Sequence, residues 1–115
     1  MNYEPHGNAK VYWQHDTLVV EVTGSINKEG AACFNQCIEK CIRGATSQQW
    51  ARVERLDDHY VLCTPDSIPL LEKNMVLCKL FGCASCQVVG GNHLMHAIFQ
   101  QICEKYEIPF AVSEG

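Results

Sequence analysis

The chain has no cluster of lysine or arginine anywhere along its 115 residues. Its 9 basic side chains are outnumbered by 13 acidic ones, for a formal charge of −4. Nucleic acid and anionic membranes are held by concentrated positive patches, so neither is an expected partner. Long apolar runs are missing too, and none approaches the roughly 20 residues that span a bilayer. The opening residues, MNYEPHGNAK, are polar and carry no apolar segment of the kind an export signal needs, so a cytoplasmic location is expected. There is no internal repeat, linker or low-complexity stretch. One domain over 1–115 is expected, with 1–9 as an N-terminal arm. No GxGxxG, P-loop or GxSxG pattern occurs, so no cofactor and no enzyme activity are expected.

Cysteine, by contrast, is plentiful, with 8 in the chain. Without an export signal these are expected as reduced thiols rather than a disulfide framework. Cys33, Cys37 and Cys41 fall four residues apart and trace one stripe of a helix, at about 100° per residue. With Phe34, Ile38 and Ile42 they read as the apolar face, where free cysteine packs as a small hydrophobe.

The pattern of the remaining residues gives an α/β order. KVYWQ (10–14) and TLVVEVT (17–23) read as strands joined at His15-Asp16. Ser25 or Asn27 caps a helix running to Arg43, which Gly44 ends in a positive-φ conformation. WARVERL (50–56) is a strand. A second helix starts between Thr64 and Pro69 and ends at Gly82. A strand at 84–89, a Gly90-Gly91-Asn92 turn, a helix over about 93–106 and a short strand at 108–112 follow. Pro109 lacks an N–H for the ladder and marks that last strand as an edge. The result is ββαβαβαβ, a mostly parallel sheet with an antiparallel N-terminal hairpin and helical crossovers.

CASCQVVGGNHLMH (83–96) resembles a metal site, with a CxxC at Cys83 and Cys86 followed by His93 and His96. A strand through 84–89 opposes this. It separates Cys86 from His93 by on the order of 10 Å at ~3.3 Å per residue. Zinc needs all its ligands within about 2.0–2.3 Å of one ion. The CxxC also follows a helix rather than opening one, so no helix dipole activates a thiolate there. On the last helix Leu94, Met95, Ile98, Phe99, Ile102 and Tyr106 read as the core face, and both histidines as rim or solvent. No metal site is expected, Cys83, Cys86, His93 and His96 being weak candidates. Cys63, just before the start of the second helix, is the more interesting thiol, and a structural packing role is expected for it too.

In parallel sheets ligands meet the carboxyl ends of the strands. Two loops reach that edge, and each enters a helix N-terminus that favours an anion. The first carries Asp57, Asp58, His59, Thr64, Asp66 and Ser67. The second carries Gly90, Gly91 and Asn92. The plain reading makes Thr64 and Ser67 helix caps, Asp57–His59 a solvated loop and the diglycine a turn. The functional reading makes all nine the ligand or partner surface.

The elements TLVVEVTG, NKEGAACFNQCI, WARVERL, TPDSIPLLEK, CQVV and IPFAV, in that order over about 10–113, resemble the STAS domain of sulfate transporters and anti-sigma factor antagonists. The resemblance implies a STAS-like fold and a non-enzymatic regulatory, protein-interaction role, of the stand-alone bacterial kind. It also implies a phosphoacceptor at the helix start after the third strand, where Thr64 and Ser67 stand. That stretch lacks the family's serine pair and glycine, and Arg52, Glu54 and Arg55 interrupt its apolar-Asp-apolar strand. The expected partner is an unidentified protein or, in the alternative, a small anionic ligand; a thiol redox or metal role stands behind both. A homodimer would use Trp13 or Trp50 on an open sheet face.

Overall fold

The structure, a computed structural model, describes residues 7–45 and 49–114. Most of the expected arm, residues 1–6, lies outside the described residues. The elements run β1 (Asn8–Gln14), β2 (Thr17–Thr23), α1 (Lys28–Arg43), β3 (Trp50–Leu56), a 3-10 turn (Pro65–Ser67), α2 (Ile68–Leu80), β4 (Cys83–Gly90), α3 (His93–Lys105) and β5 (Phe110–Ser113). The sheet order is β1-β2-β3-β4-β5, with β1 antiparallel to β2 and every later pair parallel. This is the α/β order expected from the sequence, and β5, with Pro109 at its entry, is an edge.

Each crossover moves one strand further in the same direction. Right-handed connections that always step the same way place every helix on the same face. The core therefore lies on one side of the sheet. Leu18, Val20, Val22, Leu56, Cys86 and Val88 point into it and meet Ile38 and Ile42 of α1, Met75 and Cys78 of α2, and Met95, Phe99 and Ile102 of α3.

The hairpin turn is as tight as expected, and His15 takes φ 55° in it. Asn27 caps α1, its side chain accepting from the Gly30 N–H at 2.8 Å. Gly44 ends α1 at φ −92°, so its expected positive φ is corrected.

Two further corrections concern faces. Cys33 and Cys37 are exposed and Cys41 is half-buried, so the cysteine stripe is not the core face of α1. The buried residues of that helix are Gly30, Ala31, Ile38 and Ile42. Leu94 is also exposed, a correction to the expected α3 core face, and Cys103 on the opposite flank is buried. Trp13 and Trp50 lie on the covered side, with rings 5.1 Å apart edge to face. Their indole N–H groups donate to Cys41 O at 3.0 Å and Phe81 O at 2.9 Å. They are spoken for by the fold, and the argument for a homodimer through them falls.

Candidate functional site: the carboxyl edge and the polar layer beneath it

Parallel register aligns Val22, Leu56 and Gly90 at the ends of β2, β3 and β4. The chain segments leaving these ends build the edge. Ile26 N donates to Leu62 O at 2.7 Å and Thr64 N to Ile26 O at 2.9 Å, strapping the 62–64 loop beside the entry to α1. The Asn92 side chain caps α3 by accepting from Met95 N–H at 2.9 Å. Its Nδ2 donates to His59 O at 2.7 Å and Val61 O at 3.1 Å, joining the two loops.

The diglycine is held from both sides. His59 Nδ1 lies 3.0 Å from Gly91 O, and His96 Nε2 lies 2.6 Å from Gly90 O. A carbonyl only accepts, so each of these ring nitrogens carries a proton and the tautomers are fixed. Gly90 and Gly91 take φ +76° and +84°, and a Cβ on them would sit 2.7 Å from Leu56 O and 2.5 Å from Leu56 Cδ1. Glycine is required there by the close passage of Leu56, without appeal to a ligand.

The nine expected residues divide into two groups. Asp57, Asp58, His59, Gly90 and Gly91 line one open cleft of about 440 Å³, together with Glu21, Arg55 and Glu114. Thr64, Asp66 and Ser67 stand outside it, and Asn92 serves as brace and cap. The cleft carries the carboxylates Glu21, Asp57, Asp58 and Glu114 against Arg55, a field that repels an anion. At the 3-10 turn, Thr64 Oγ1 donates to Asp66 Oδ1 at 2.6 Å. Ser67 is buried and its hydroxyl donates to Thr64 O at 2.7 Å. Neither side chain caps a helix, which corrects the expected capping role.

Three apolar side chains stand among the exposed polar groups of this edge. Tyr60 is 80% exposed, Leu62 39% and Leu94 61%. Asp58 Oδ1 accepts from Tyr60 N–H at 2.7 Å, a local turn that projects the ring outward.

Beneath the edge lies a polar layer that the sequence reading missed. Arg52 Nε and Nη2 meet Glu54 Oε2 at 2.9 and 2.8 Å. Arg52 Nη1 donates to Asn74 Oδ1 at 2.6 Å, Asn74 Nδ2 to Asn35 Oδ1 at 2.9 Å, and Asn35 Nδ2 to Leu70 O at 3.0 Å. This chain of bonds ties β3 to α2 and α1. Arg52, Glu54 and Asn74 are all at least 96% buried, their relative exposures being 1%, 3% and 4%. Burial pushes the Glu54 carboxyl up, and the charge of Arg52 pulls it back. Glu54 also lines a cavity of about 20 Å³ with Cys63 and Ser67, room for one water molecule. The signal was present in the sequence: Arg52 and Glu54 alternate in phase with Trp50 and Leu56, which puts them on the core face.

Of the thiols around Arg52, all but Cys103 are pushed up. Burial pushes Cys83 up to about 11 and raises Cys63 and Cys78. A hydrogen bond between Cys86 and Cys103 raises the first and lowers the second. Cys83 and Cys86 lie within β4, whereas His93 is exposed and its ring is 6.0 Å from that of His96. Among the described residues no group of three or more histidine, cysteine or acidic side chains is placed to hold a metal. No helix among them is long and apolar enough to cross a membrane.

No protein-family model and no curated protein matches the chain. Among solved structures it is similar to an uncharacterised protein of the DUF3478 family from Shewanella loihica, which has a SpoIIAA-like fold. The TM-score is 0.66 over 100% of this chain and 91% of that one, at 12% identity. The likeness at this identity is one of architecture: the chain has a SpoIIAA-like, STAS-like fold.

Proposed function

We propose that this chain is a non-enzymatic regulatory module that binds a protein partner at the carboxyl edge of its sheet. The observation that carries the reading is the exposed Tyr60 and Leu62 on the hydrogen-bonded loop after β3 and the exposed Leu94 in the first turn of α3. Rigid apolar side chains with a polar rim are the anatomy of a protein-binding surface. Thr64 and Asp66 supply part of that rim, both exposed.

A small anionic ligand suits the edge less well. The carboxylates of the cleft oppose it, and Asn92 already satisfies the first turn of α3. Regulation by phosphate would fall on Thr64, because Ser67 is 1% exposed. A phosphate on Thr64 adds roughly −1.5 to −2 charge beside Asp66, which would repel it and open the present Thr64–Asp66 contact.

The test is a double substitution, Tyr60→Asp with Leu94→Asp. Both sites are exposed, so circular dichroism and thermal unfolding should match the parent. The parent should retain a discrete protein from the source extract that the double variant loses and that a Lys73→Asp control keeps. Retention of the same proteins by the double variant, or of none by the parent, would remove the reading.

A further inference from the structure

The corrected face of α1 leaves two thiols where thiols are seldom left. Cys33 and Cys37 are exposed, one helical turn apart. Cysteine is ordinarily among the most buried residue types. No hydrogen bond reaches either sulfur among the described residues. The third member of the stripe, Cys41, is different. It is half-buried, its Sγ donates to Val11 O at 3.7 Å, and burial followed by the nearby Cys37 raises its pKa. It is held as a packed thiol.

Spacing decides what an exposed pair of this kind is able to do. Residues four apart on a helix hold their Cβ atoms about 5–6 Å from each other. A disulfide needs Cβ atoms roughly 3.5–4.5 Å apart, so the pair does not close on itself without unwinding α1. Two sulfurs sharing one metal ion stand up to twice a metal–sulfur bond apart, roughly 4.6 Å at ~2.3 Å per bond. Side chains that lean toward each other across this helix turn close that difference by χ1 rotation, with the helix left intact. The helix itself is fixed, with Ile38 and Ile42 in the core, Asn35 bonded to Leu70 O and Trp13 bonded to Cys41 O.

We propose that Cys33 and Cys37 form a two-thiolate site for a soft d10 cation, copper(I) in particular. Thiolates select copper(I) over harder ions, and this ion accepts two-coordinate binding, so the pair needs no third ligand. Binding releases one proton from each thiol as the two S–Cu bonds form, and no electrons are exchanged. Lys40, exposed one turn beyond Cys37, lends positive charge to the resulting anionic complex.

The full chain, reduced and kept anaerobic, is titrated with copper(I) against a colorimetric copper(I) chelator. Native mass spectrometry counts the ions bound. One copper per chain is expected. Cys33→Ser and Cys37→Ser should each lose roughly 10²–10⁴-fold in affinity, since each removes the intramolecular second ligand. Both sites are exposed, so their circular dichroism should match the parent; Cys33→Ala and Cys37→Ala repeat the test without the hydroxyl. If the single variants bind copper as tightly as the parent, the ion sits on other thiols and the proposal fails. It fails equally if the parent shows no tight site.

Discussion

The covered face of the sheet and its carboxyl edge are both rich in polar side chains, and they use them in opposite ways. On the covered face, Arg52, Glu54, Asn74 and Asn35 bond to one another and to Leu70 O, joining three elements. At the edge, polar groups bond mainly to nearby backbone. His59 and His96 brace the diglycine, Asn92 caps α3, and Ser67 turns back to Thr64 O. The first arrangement makes charge part of the core. The second uses up hydrogen-bonding capacity locally and leaves Tyr60, Leu62 and Leu94 facing out. Residue type alone thus fails to say which region is the working surface. The strongest charges in the middle of the chain are structural, and apolar side chains at the edge are left in solvent.

The sharpest way to break this contrast is to unbalance the buried pair. Arg52→Met leaves the Glu54 carboxylate buried without its partner and should cost about 3–5 kcal/mol in denaturant unfolding. Arg52→Met combined with Glu54→Leu removes both charges and should recover most of that loss. Equal losses for the single and double variants would mean that packing, not charge, makes Arg52 important. The edge counterpart is Gly90→Ala. Its Cβ would meet Leu56 O at 2.7 Å in a positive-φ conformation, so a loss of about 1–3 kcal/mol is expected. A neutral outcome would mean the turn relaxes freely and the His59–His96 brace is not rigid.

The thiols sharpen the comparison on a smaller scale. Cys78→Ser and Cys103→Ser place a hydroxyl at fully buried positions and should cost about 1–3 kcal/mol each. Cys33→Ser and Cys37→Ser should stay within roughly 0.5 kcal/mol, because both sites face solvent. Similar losses in both pairs would return the exposed thiols to the core.

The element order was legible because period-2 and period-3.6 patterns, caps and glycines agreed along the chain. The site was legible only in part, for two physical reasons. Cysteine was weighed as apolar, which widened the apparent core face of α1. At about 100° per residue, Cys37 stands roughly 100° and Cys33 roughly 140° around the helix from Ile38, outside the stripe that Ala31, Ile38 and Ile42 define. Arg52 and Glu54 were weighed as charged and so as interruptions of β3. Their alternation with Trp50 and Leu56 carried the better information, since the pleat fixes direction whatever the side chain is. Which edge loops face each other depended on Asn92 and the Ile26–Cys63 bridge, long-range contacts that no local pattern announces.

The smallest expected effect concerns the outer surface of the helices, where the charges of Glu72 and Lys105 remain in contact with solvent. Lys105 Nζ donates to Glu72 Oε1 at 2.6 Å and Tyr106 Oη to the same oxygen at 2.8 Å, tying α3 to α2. Lys105 first and Tyr106 second hold the Glu72 carboxyl below its ordinary value. A depressed folded-state pKa contributes stability above the ordinary carboxylate pKa, and that contribution fades as the pH falls through the depressed value. An NMR titration of Glu72 should therefore show a midpoint below the usual carboxylate range, rising in Lys105→Ala. Added salt should raise it as well, since the pair is solvent-exposed and screened. The unfolding free energy should barely respond. A midpoint indifferent to both Lys105→Ala and salt would mean that the surface tie does not persist in solution, and the firm polar contacts would then be those of the covered face and the edge alone.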